Sequence, residues 1–284
     1  GALVRQINYN ENPFLSSTML ETIERAKAEN PDDFSHIYLG EPRGDDDKTV
    51  IKRSWLQAAI DAHVVLGIEP AGLRRIGFDI ADDGGDMNAT VEALGILACG
   101  LDEWKGGENE LLKSCMRVYS QAVLSGAEID FDCIGVGASA GAKFNELNDA
   151  QGRVVVAHKF NAGGGVVNPE KLWQPGITNK EFFSNAKAQA WWTVAERLRK
   201  TYAWVANGES CDPSEIISIS STLPGIDSLI DELSTPYKDF TPDGRVKLES
   251  KQDLAKRGVK SPNKADAFIM AYAPRQQAER GLWG

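Results

Sequence analysis

The sequence predicts an α/β protein from about residue 72 onwards, and two kinds of periodicity support this. Short segments with alternating apolar residues are typical of strands, and longer segments with apolar residues at helical spacing are typical of helices. The first strand is predicted at 75–81, where Ile76, Phe78 and Ile80 alternate with smaller or acidic residues. The clearest amphipathic helix is predicted at 108–124, with an apolar stripe of Leu112, Cys115, Met116, Tyr119 and Val123.

The other elements follow in order along the chain. Further strands are predicted at 89–98, 127–134, 153–160 and 216–220, and further helices at 140–147, 180–206 and 226–233. A hairpin is predicted around 241–244. The last helix is predicted to begin at Ser261, a good N-cap residue, with Pro262 in its first turn.

The first 50 residues differ in sequence pattern from the rest of the chain. A short helix with one apolar face is predicted at 17–28, and Asn30-Pro31 ends it. The acidic stretch EPRGDDD that follows is typical of a linker. Because this segment is too small for a core of its own, we predict that it is the tail of an upstream domain. The predicted units are 1–60 and 61–284.

Composition limits the possible functions. No apolar run approaches the roughly 18–20 residues of a membrane span, so a soluble protein is predicted. The four cysteines lie far apart without a CxxC pair, which argues against a disulfide framework or zinc site and favours a reducing cytoplasm. With only three histidines, carboxylates are expected to carry any catalysis. The net charge of −10 argues against a protein that coats nucleic acid by bulk electrostatics.

Two predicted strands carry a carboxylate near their carboxyl ends. Asp79 lies between the small residues Gly77 and Ala81, and Asp132 ends the strand that precedes a Gly-rich loop. Open α/β sheets place their sites at this edge, and hard divalent cations prefer carboxylate oxygens held on rigid elements. A structural role stays open, because Asp79 could instead cap the DDGGD turn that follows it.

A third carboxylate, Asp266, lies near the start of the last helix between two alanines. Small neighbours let a helix pack closely on a sheet, and the helix dipole favours an ionised carboxylate near the N-terminus. Acidic residues near helix starts are also common on protein surfaces, so Asp266 alone is a weak signal.

The glycines after Asp132 do not match a nucleotide-binding motif. Their spacing, Gly135-x-Gly137-x-x-x-Gly141, differs by one residue from the dinucleotide pattern GxGxxG. The phosphate loop GxxxxGK[ST] is absent from the sequence. Hydrolysis of ATP by this piece alone is therefore not expected.

Basic residues concentrate at 245–264 despite the acidic total. This segment holds seven lysines and arginines, against the two acidic residues Glu249 and Asp253. A solvated helix or hairpin face explains such a run, and a rim that faces DNA phosphates is the alternative.

Taken together, these stretches resemble the nuclease domain of the large terminase subunit, the DNA-packaging motor of tailed bacteriophages. The matching pieces are, in order, GFDIADDGGDMNAT, FDCIGVGASAGAKFNEL, ITNKEFFSNAKAQAWW and RVKLESKQDLAKRGVKSPNKADAF, spread over residues 74–270. Residues 12–43 resemble the end of that family's ATPase domain. The ordered set is far more specific than any single motif.

The resemblance implies an RNase H-like fold, with a mixed central sheet flanked by helices. It also implies a metal-binding triad of Asp79, Asp132 and Asp266. Lys251 matches the family's ESK stretch and is expected to place a basic group near the scissile phosphate, although an exposed lysine at a helix start is the alternative. The residues expected to contact DNA are Lys247, Lys251, Lys256 and Arg257.

Three further expectations concern residues around the triad. Asp86 falls where the family often has an aspartate, and we expect it to form the turn or to support the metal ligands. Asp82 is expected to play a similar supporting role. Asn263 stands where many members carry aspartate, which is expected to weaken the binding of a second metal.

The implied activity is a metal-dependent endonuclease that cuts concatemeric double-stranded DNA during viral genome packaging. Phosphodiester hydrolysis needs an activated water and charge relief on the leaving oxygen, and two Mg²⁺ or Mn²⁺ ions about 3.5–4 Å apart supply both. The implied partners are double-stranded DNA, the upstream ATPase domain, the portal and the small terminase subunit, in the host bacterial cytoplasm and away from membranes. Two alternatives stay open: an RNase H-like nuclease of the resolvase or transposase type, and a non-catalytic docking module of the packaging motor.

Overall fold

The computed structural model describes residues 9, 14–20, 23–24, 47–81, 87–106 and 110–275. The chain divides into two compact units, Gly1–Asp47 and Lys48–Gly284. In the first unit, residues 17–20 and 23–24 are helical, and both lie within the helix predicted at 17–28. The second unit begins before the boundary predicted at residue 60, because Ile51, Leu56 and Ala59 belong to its core. That the first segment ends an ATPase domain stays a prediction.

The second unit alternates strands and helices. Its strands are β1 (Arg74–Asp79), β2 (Met87–Leu94), β3 (Leu97–Lys105), β4 (Glu128–Asp132), β5 (Ala157–Phe160), β6 (Leu172–Gln174), β7 (Ile177–Thr178), β8 (Ser218–Ile219), β9 (Lys238–Phe240) and β10 (Val246–Leu248). Its helices are α1 (Arg53–Ala59), α2 (Ala62–Val65), α3 (Leu111–Ser125), α4 (Ala140–Gln151), α5 (Asn179–Phe182), α6 (Ala186–Asn207), α7 (Ile226–Ser234), α8 (Lys251–Lys256) and α9 (Asn263–Tyr272). Among the described helices, none combines the length and apolar character that a membrane crossing requires.

Six strands form one mixed sheet in the order β5-β4-β1-β2-β3-β8. β2 runs antiparallel to both β1 and β3, whereas β4 pairs parallel to β1 and β5 parallel to β4. β8 adds a short parallel edge beside β3. Because parallel neighbours present their carboxyl ends at the same edge, β1 and β4 end side by side. The predicted mixed sheet flanked by helices is confirmed.

Helices cover both faces of the sheet and create two apolar cores. On one face, α3 packs on β1 and β4 with α4 beside it, through residues such as Val118 and Phe144. On the other face, α9 lies on β1 and β2, and α6 and α1 pack beyond it around Trp191. Phe78 belongs to the α3 core. Since neighbouring residues of a strand face opposite sides, Asp79 faces α9.

Several element boundaries differ from the prediction. The strand predicted at 89–98 is two strands, β2 and β3, joined by a tight turn in which Gly95 has a φ of 56°. A lone glycine within an apolar run is a weak turn signal. The last helix begins at Asn263, and Pro262 rather than Ser261 occupies its N-cap position, without a side-chain cap hydrogen bond. The hairpin around 241–244 is confirmed between β9 and β10. The sequence patterns do not predict α1, α2 or the β6–β7 pair.

Helix α9 lies in direct contact with β1, and Gly77 makes this contact possible. A Cβ atom at Gly77 would lie 1.9 Å from the carbonyl oxygen of Ala267 and 2.6 Å from the amide nitrogen of Ala271. Both partners are backbone atoms, so no change of rotamer could relieve the overlap. The glycine therefore sets how closely the helix approaches the strand.

The far end of α9 is held by Arg75 of β1. Its guanidinium donates to the carbonyl oxygens of Met270 and Ala273, both at 3.0 Å. Arg75 Nε also donates to Asp130 on β4 at 2.9 Å, and Arg275 Nε donates to the same carboxylate at 2.8 Å. These bonds tie the end of the helix to two neighbouring strands of the sheet.

Gly77→Ala is expected to lower the free energy of unfolding by about 3 kcal/mol or more, because α9 must move away from β1. Urea unfolding followed by circular dichroism measures this loss. Gly165→Ala is the matched control, since a Cβ there meets no atom within 4 Å, and it should change stability by less than about 0.5 kcal/mol. Equal unfolding midpoints for the two variants would contradict the tight contact.

Candidate active site

Three carboxylates meet at the carboxyl edge of the sheet. A cavity of about 20 Å³ is lined by Asp79, Asp132 and Asp266, together with Lys187 and Trp191. We call this space the acidic cavity. The three acids come from the end of β1, the end of β4 and the first turn of α9. The structure thus brings the residues of the predicted triad to one place.

Asp79 is the most enclosed of the three, with 5% of the residue exposed. The chain just after it is held by Asn88, whose side-chain oxygen accepts the backbone N–H of Ala81 at 3.1 Å. Burial raises the pKa of Asp79 well above its ordinary value, and the negative charge of Asp266 raises it further. A carboxyl group in these surroundings is stabilised by a proton or by a nearby cation.

Asp132 is anchored by the chain that follows it. Its Oδ1 accepts the backbone N–H of Ile134 at 3.0 Å. The next turn approaches so closely that a Cβ on Gly137 would lie 1.9 Å from the carbonyl oxygen of Asp132. Burial raises the pKa of Asp132, while the hydrogen bond from Ile134 acts to lower it. The glycines of this loop therefore shape the backbone around a carboxylate.

Asp266 is paired with Lys187, a residue that the sequence analysis does not single out. Lys187 is the second residue of α6, and its Nζ lies 2.8 Å and 2.9 Å from the two carboxylate oxygens of Asp266. Burial acts to lower the pKa of Lys187, but the charge of Asp266 and the hydrogen bond to it prevail, so the pKa is raised. Lys187 therefore remains an ammonium ion and compensates one negative charge of the acidic cavity.

The donor set of the acidic cavity suits a hard divalent cation, which prefers carboxylate oxygens. The carboxylate of Asp79 receives no hydrogen bond from the residues that the structure describes, so a cation is its natural partner. As the side chains stand, no group of three or more His, Cys, Asp or Glu residues within the described ranges is arranged to hold a metal ion. The cavity volume of about 20 Å³ fits roughly one water-sized sphere. Ligation by all three carboxylates therefore requires their side chains to move.

Lys251 is the first residue of α8 and is exposed. Its positive charge acts to lower the pKa of both Asp79 and Asp132, which places the lysine near the acidic cavity. Its role as a basic group near the scissile phosphate stays a prediction.

Other predicted residues around the triad fall into two groups. Asp82 and Asp86 lie within 82–86, outside the described residues, so their supporting role stays a prediction. Asn263 is the first residue of α9 and is buried. It lies one helical turn before Asp266, so both side chains project from the same side of the helix.

The basic segment 245–264 is largely engaged in local ion pairs. The pairs include Lys247–Asp239 at 2.9 Å, Lys256–Asp253 at 2.6 Å and Arg257–Glu249 at 2.5 Å. The Arg257 guanidinium also lies 3.6 Å from the ring centroid of Tyr237. These contacts reduce the positive charge that the segment offers to DNA. By contrast, Lys251 has no ion pair with any described residue.

A larger cleft of about 400 Å³ adjoins the acidic cavity, and Phe160 lines both spaces. The polar side chains of this cleft are Asp130, His158, Lys159, Asn161, Gln189 and Arg275. Lys159 projects from β5 and is exposed. The cleft therefore offers polar, partly cationic space next to the three carboxylates.

Solved structures similar to this chain are nuclease domains of the large terminase subunit gp2 of bacterial virus Sf6. One has 28% sequence identity and a TM-score of 0.72, and the match covers 80% of this chain and 99% of that chain. A lysine-to-alanine variant with manganese and beta-thujaplicinol has 27% identity and a TM-score of 0.72 over the same shares. A variant with calcium has 27% identity and a TM-score of 0.71, and the match covers 80% and 100% of the two chains.

The resemblance to terminase nuclease domains is confirmed. The match covers 99% of the Sf6 domain. It confirms the RNase H-like fold class. No family model matches the chain, and no curated protein sequence matches it. The similarity is therefore carried by structure together with moderate sequence identity to the Sf6 domain.

Asp79→Asn is expected to stabilise the metal-free protein at neutral pH by roughly 1 kcal/mol, because it removes a buried charge that neighbouring carboxylates repel. The pKa of Asp79 is raised in the folded protein, so above the ordinary value of 3.8 the folded state binds more protons than the unfolded state. Stability of the parent should therefore fall as pH rises through that window, and the slope should be shallower for Asp79→Asn. Urea unfolding in EDTA between about pH 5 and about pH 8 measures both slopes.

The exposed Asp149→Asn is the control for this comparison, since Asp149 lies on α4 away from the acidic cavity. It should keep the parental slope of stability against pH. An unchanged slope for Asp79→Asn as well would mean that Asp79 is not held in an unfavourable charged state.

Proposed function

We propose that this chain is a metal-dependent endonuclease domain of a viral DNA-packaging terminase, which cuts concatemeric double-stranded DNA by phosphodiester hydrolysis. The observation that carries the proposal is the meeting of Asp79, Asp132 and Asp266 in one cavity of a fold that matches the Sf6 nuclease domain. Three buried or half-buried carboxylates from separate elements weaken the fold unless a cation joins them. Their convergence is therefore better explained by function than by stability.

The three aspartates would hold two Mg²⁺ or Mn²⁺ ions, and an Sf6 nuclease domain has been solved with manganese. Bound divalent ions supply a reactive nucleophile at neutral pH and neutralise charge that develops on the leaving oxygen. The protein contributes rigid placement: Asn88 holds the chain after Asp79, and the Ile134 N–H orients Asp132. Asn263 leaves the start of α9 without a further carboxylate, so the second ion should be held more weakly.

Lys251 would contact the phosphate beside the scissile bond. It is exposed at the start of α8, and its charge reaches two of the carboxylates. Because Lys251 is exposed and does not line the acidic cavity, its ammonium group can approach a phosphate oxygen without occupying that cavity. With a net charge of −10, the chain depends on such local cations to attract DNA.

The cleft beside the acidic cavity gives the substrate a path away from the cut. Phe160 lines both spaces, and Lys159 and Asn161 add donors for phosphate oxygens. We place the strand that leaves the scissile phosphate in this cleft. In the packaging motor, the domain would work with an upstream ATPase domain, the portal and the small terminase subunit, in the cytoplasm of the bacterial host.

Each of the variants Asp79→Asn, Asp132→Asn and Asp266→Asn is expected to lower plasmid cleavage by about a thousandfold or more, because the carboxylates act as one unit. A supercoiled-plasmid nicking assay with Mn²⁺ or Mg²⁺ measures the rate. Asp149→Asn is the matched surface control and should cut at the parental rate. Cleavage at the parental rate by any one of the three variants would show that this residue is not part of the active site.

The same assay separates the proposal from its alternatives. A terminase nuclease domain without its motor should nick and then degrade DNA with little sequence preference. Cleavage confined to branched junctions would favour a resolvase-type enzyme. Intact DNA under all metal conditions, with a folded parent protein, would favour a docking module.

Lys251→Ala is expected to lower the cleavage rate by about tenfold to a hundredfold while leaving the melting temperature unchanged, because an exposed lysine near the site acts on the substrate. Lys113→Ala is the matched control, since Lys113 is an exposed lysine on α3 and pairs with Glu110 at 2.6 Å. Equal rates for the two variants would contradict a role for Lys251 at the scissile phosphate.

A further inference from the structure

Lys187 binds both carboxylate oxygens of Asp266, so a metal ion could not bind the same oxygens at the same time. Its Nζ lies within 2.9 Å of both carboxylate oxygens, so the ammonium group covers the side of Asp266 that faces the acidic cavity. Only 23% of the lysine side chain and 11% of the aspartate side chain are exposed. The pair is therefore largely screened from water, where an ion pair is stronger than at the surface.

The backbone around Lys187 is fixed, so only its side chain is free to move. Its N–H donates to the carbonyl oxygen of Ala162 at 3.0 Å, and the N–H of Ala186 donates to Gly164 at 2.9 Å. Asn185 caps the helix by accepting the N–H of Ala188 at 2.9 Å. Movement of the ammonium group away from Asp266 therefore needs only rotation about the lysine side-chain bonds.

Neighbouring lysines do not take this role. Lys264 lies in the same turn as Asp266, but its Nζ pairs with Glu103 at 3.0 Å and Glu232 at 2.8 Å. Lys180 pairs with the exposed Glu170 at 2.8 Å. Among the described residues, Lys187 is the lysine that lines the acidic cavity and is bonded to one of its carboxylates.

We infer that Lys187 is an internal counter-ion that competes with the divalent metal for Asp266. The metal-free protein is stabilised by the lysine, and an incoming ion must displace the ammonium group before Asp266 can become a ligand. Lys187 therefore weakens metal binding. When no metal is present, it reduces the charge repulsion among the carboxylates of the acidic cavity. This inference rests on the proposed metal-dependent function and adds the regulation of metal occupancy to it.

The test compares Lys187→Met with the parent in two measurements that need no DNA cleavage. Binding of Mn²⁺ is measured by electron paramagnetic resonance of the free ion, and thermal unfolding is measured in EDTA and in excess Mn²⁺. Lys187→Met should bind Mn²⁺ about tenfold more tightly, because a competing cation is gone. It should melt below the parent in EDTA and gain more than the parent from Mn²⁺.

Three further variants make the result specific. Lys180→Met removes a nearby surface lysine and should bind Mn²⁺ with parental affinity. Lys187→Arg keeps the charge and should stay within a few-fold of the parent. In an Asp266→Asn background, Lys187→Met should add nothing, because the carboxylate for which lysine and metal compete has been removed.

Several outcomes would overturn the inference. Equal or weaker Mn²⁺ binding by Lys187→Met would show that the lysine does not oppose the metal. An equal gain in Mn²⁺ affinity for Lys180→Met would show that the effect comes from the net charge of the protein and not from the position of Lys187. If Lys187→Met does not fold, Lys187→Gln replaces it with the same expected gain. Failure of the parent to bind Mn²⁺, or unchanged binding by Asp79→Asn, would instead refute the proposed metal-dependent function.

Discussion

The contact between α9 and β1 at Gly77 is the constraint on which the rest of the site depends. A strand and a helix meet here with backbone against backbone, and the helix carries Asp266 to the strand that carries Asp79. A side chain larger than hydrogen at Gly77 would separate the two carboxylates. Arg75 and Asp130 secure the other end of the helix, so its position is fixed along its whole length.

This geometry gathers negative charge where water is scarce, and the fold has to compensate for it. Burial and mutual repulsion raise the pKa values of Asp79 and Asp132. Lys187 offsets part of this charge from within, and Lys251 offsets part of it from the surface. Such a cluster lowers stability, which is the usual relation between stability and function at a site of gathered charge.

The sequence, with the family resemblance of its ordered motifs, predicts the fold class and the meeting of Asp79, Asp132 and Asp266. Their role as metal ligands stays a prediction. Asp79 and Asp132 end apolar strands, and Asp266 lies between alanines near a helix start, so each position carries its own signal. Lys187 carries no such signal, since its partner is distant in the chain and a lysine among small residues is equally consistent with a surface position. The same limit applies to the 245–264 segment, where the Lys247–Asp239 pair across the hairpin and the Arg257–Glu249 pair after it convert apparent free charge into local ion pairs. The sequence does not predict the β2–β3 turn, because a single glycine within a continuous apolar run is a weak turn signal.

The short strands at the two ends of the sheet have a consequence for assembly. β5 pairs with β4 over four residues, but β8 pairs with β3 only at Leu97 and Ala98, so residues 99–105 of β3 have no strand partner on that side among the described residues. Strand addition from another chain, a common route to both recognition and aggregation, therefore has a row of open backbone groups to extend from along β3 but little to extend from at β5.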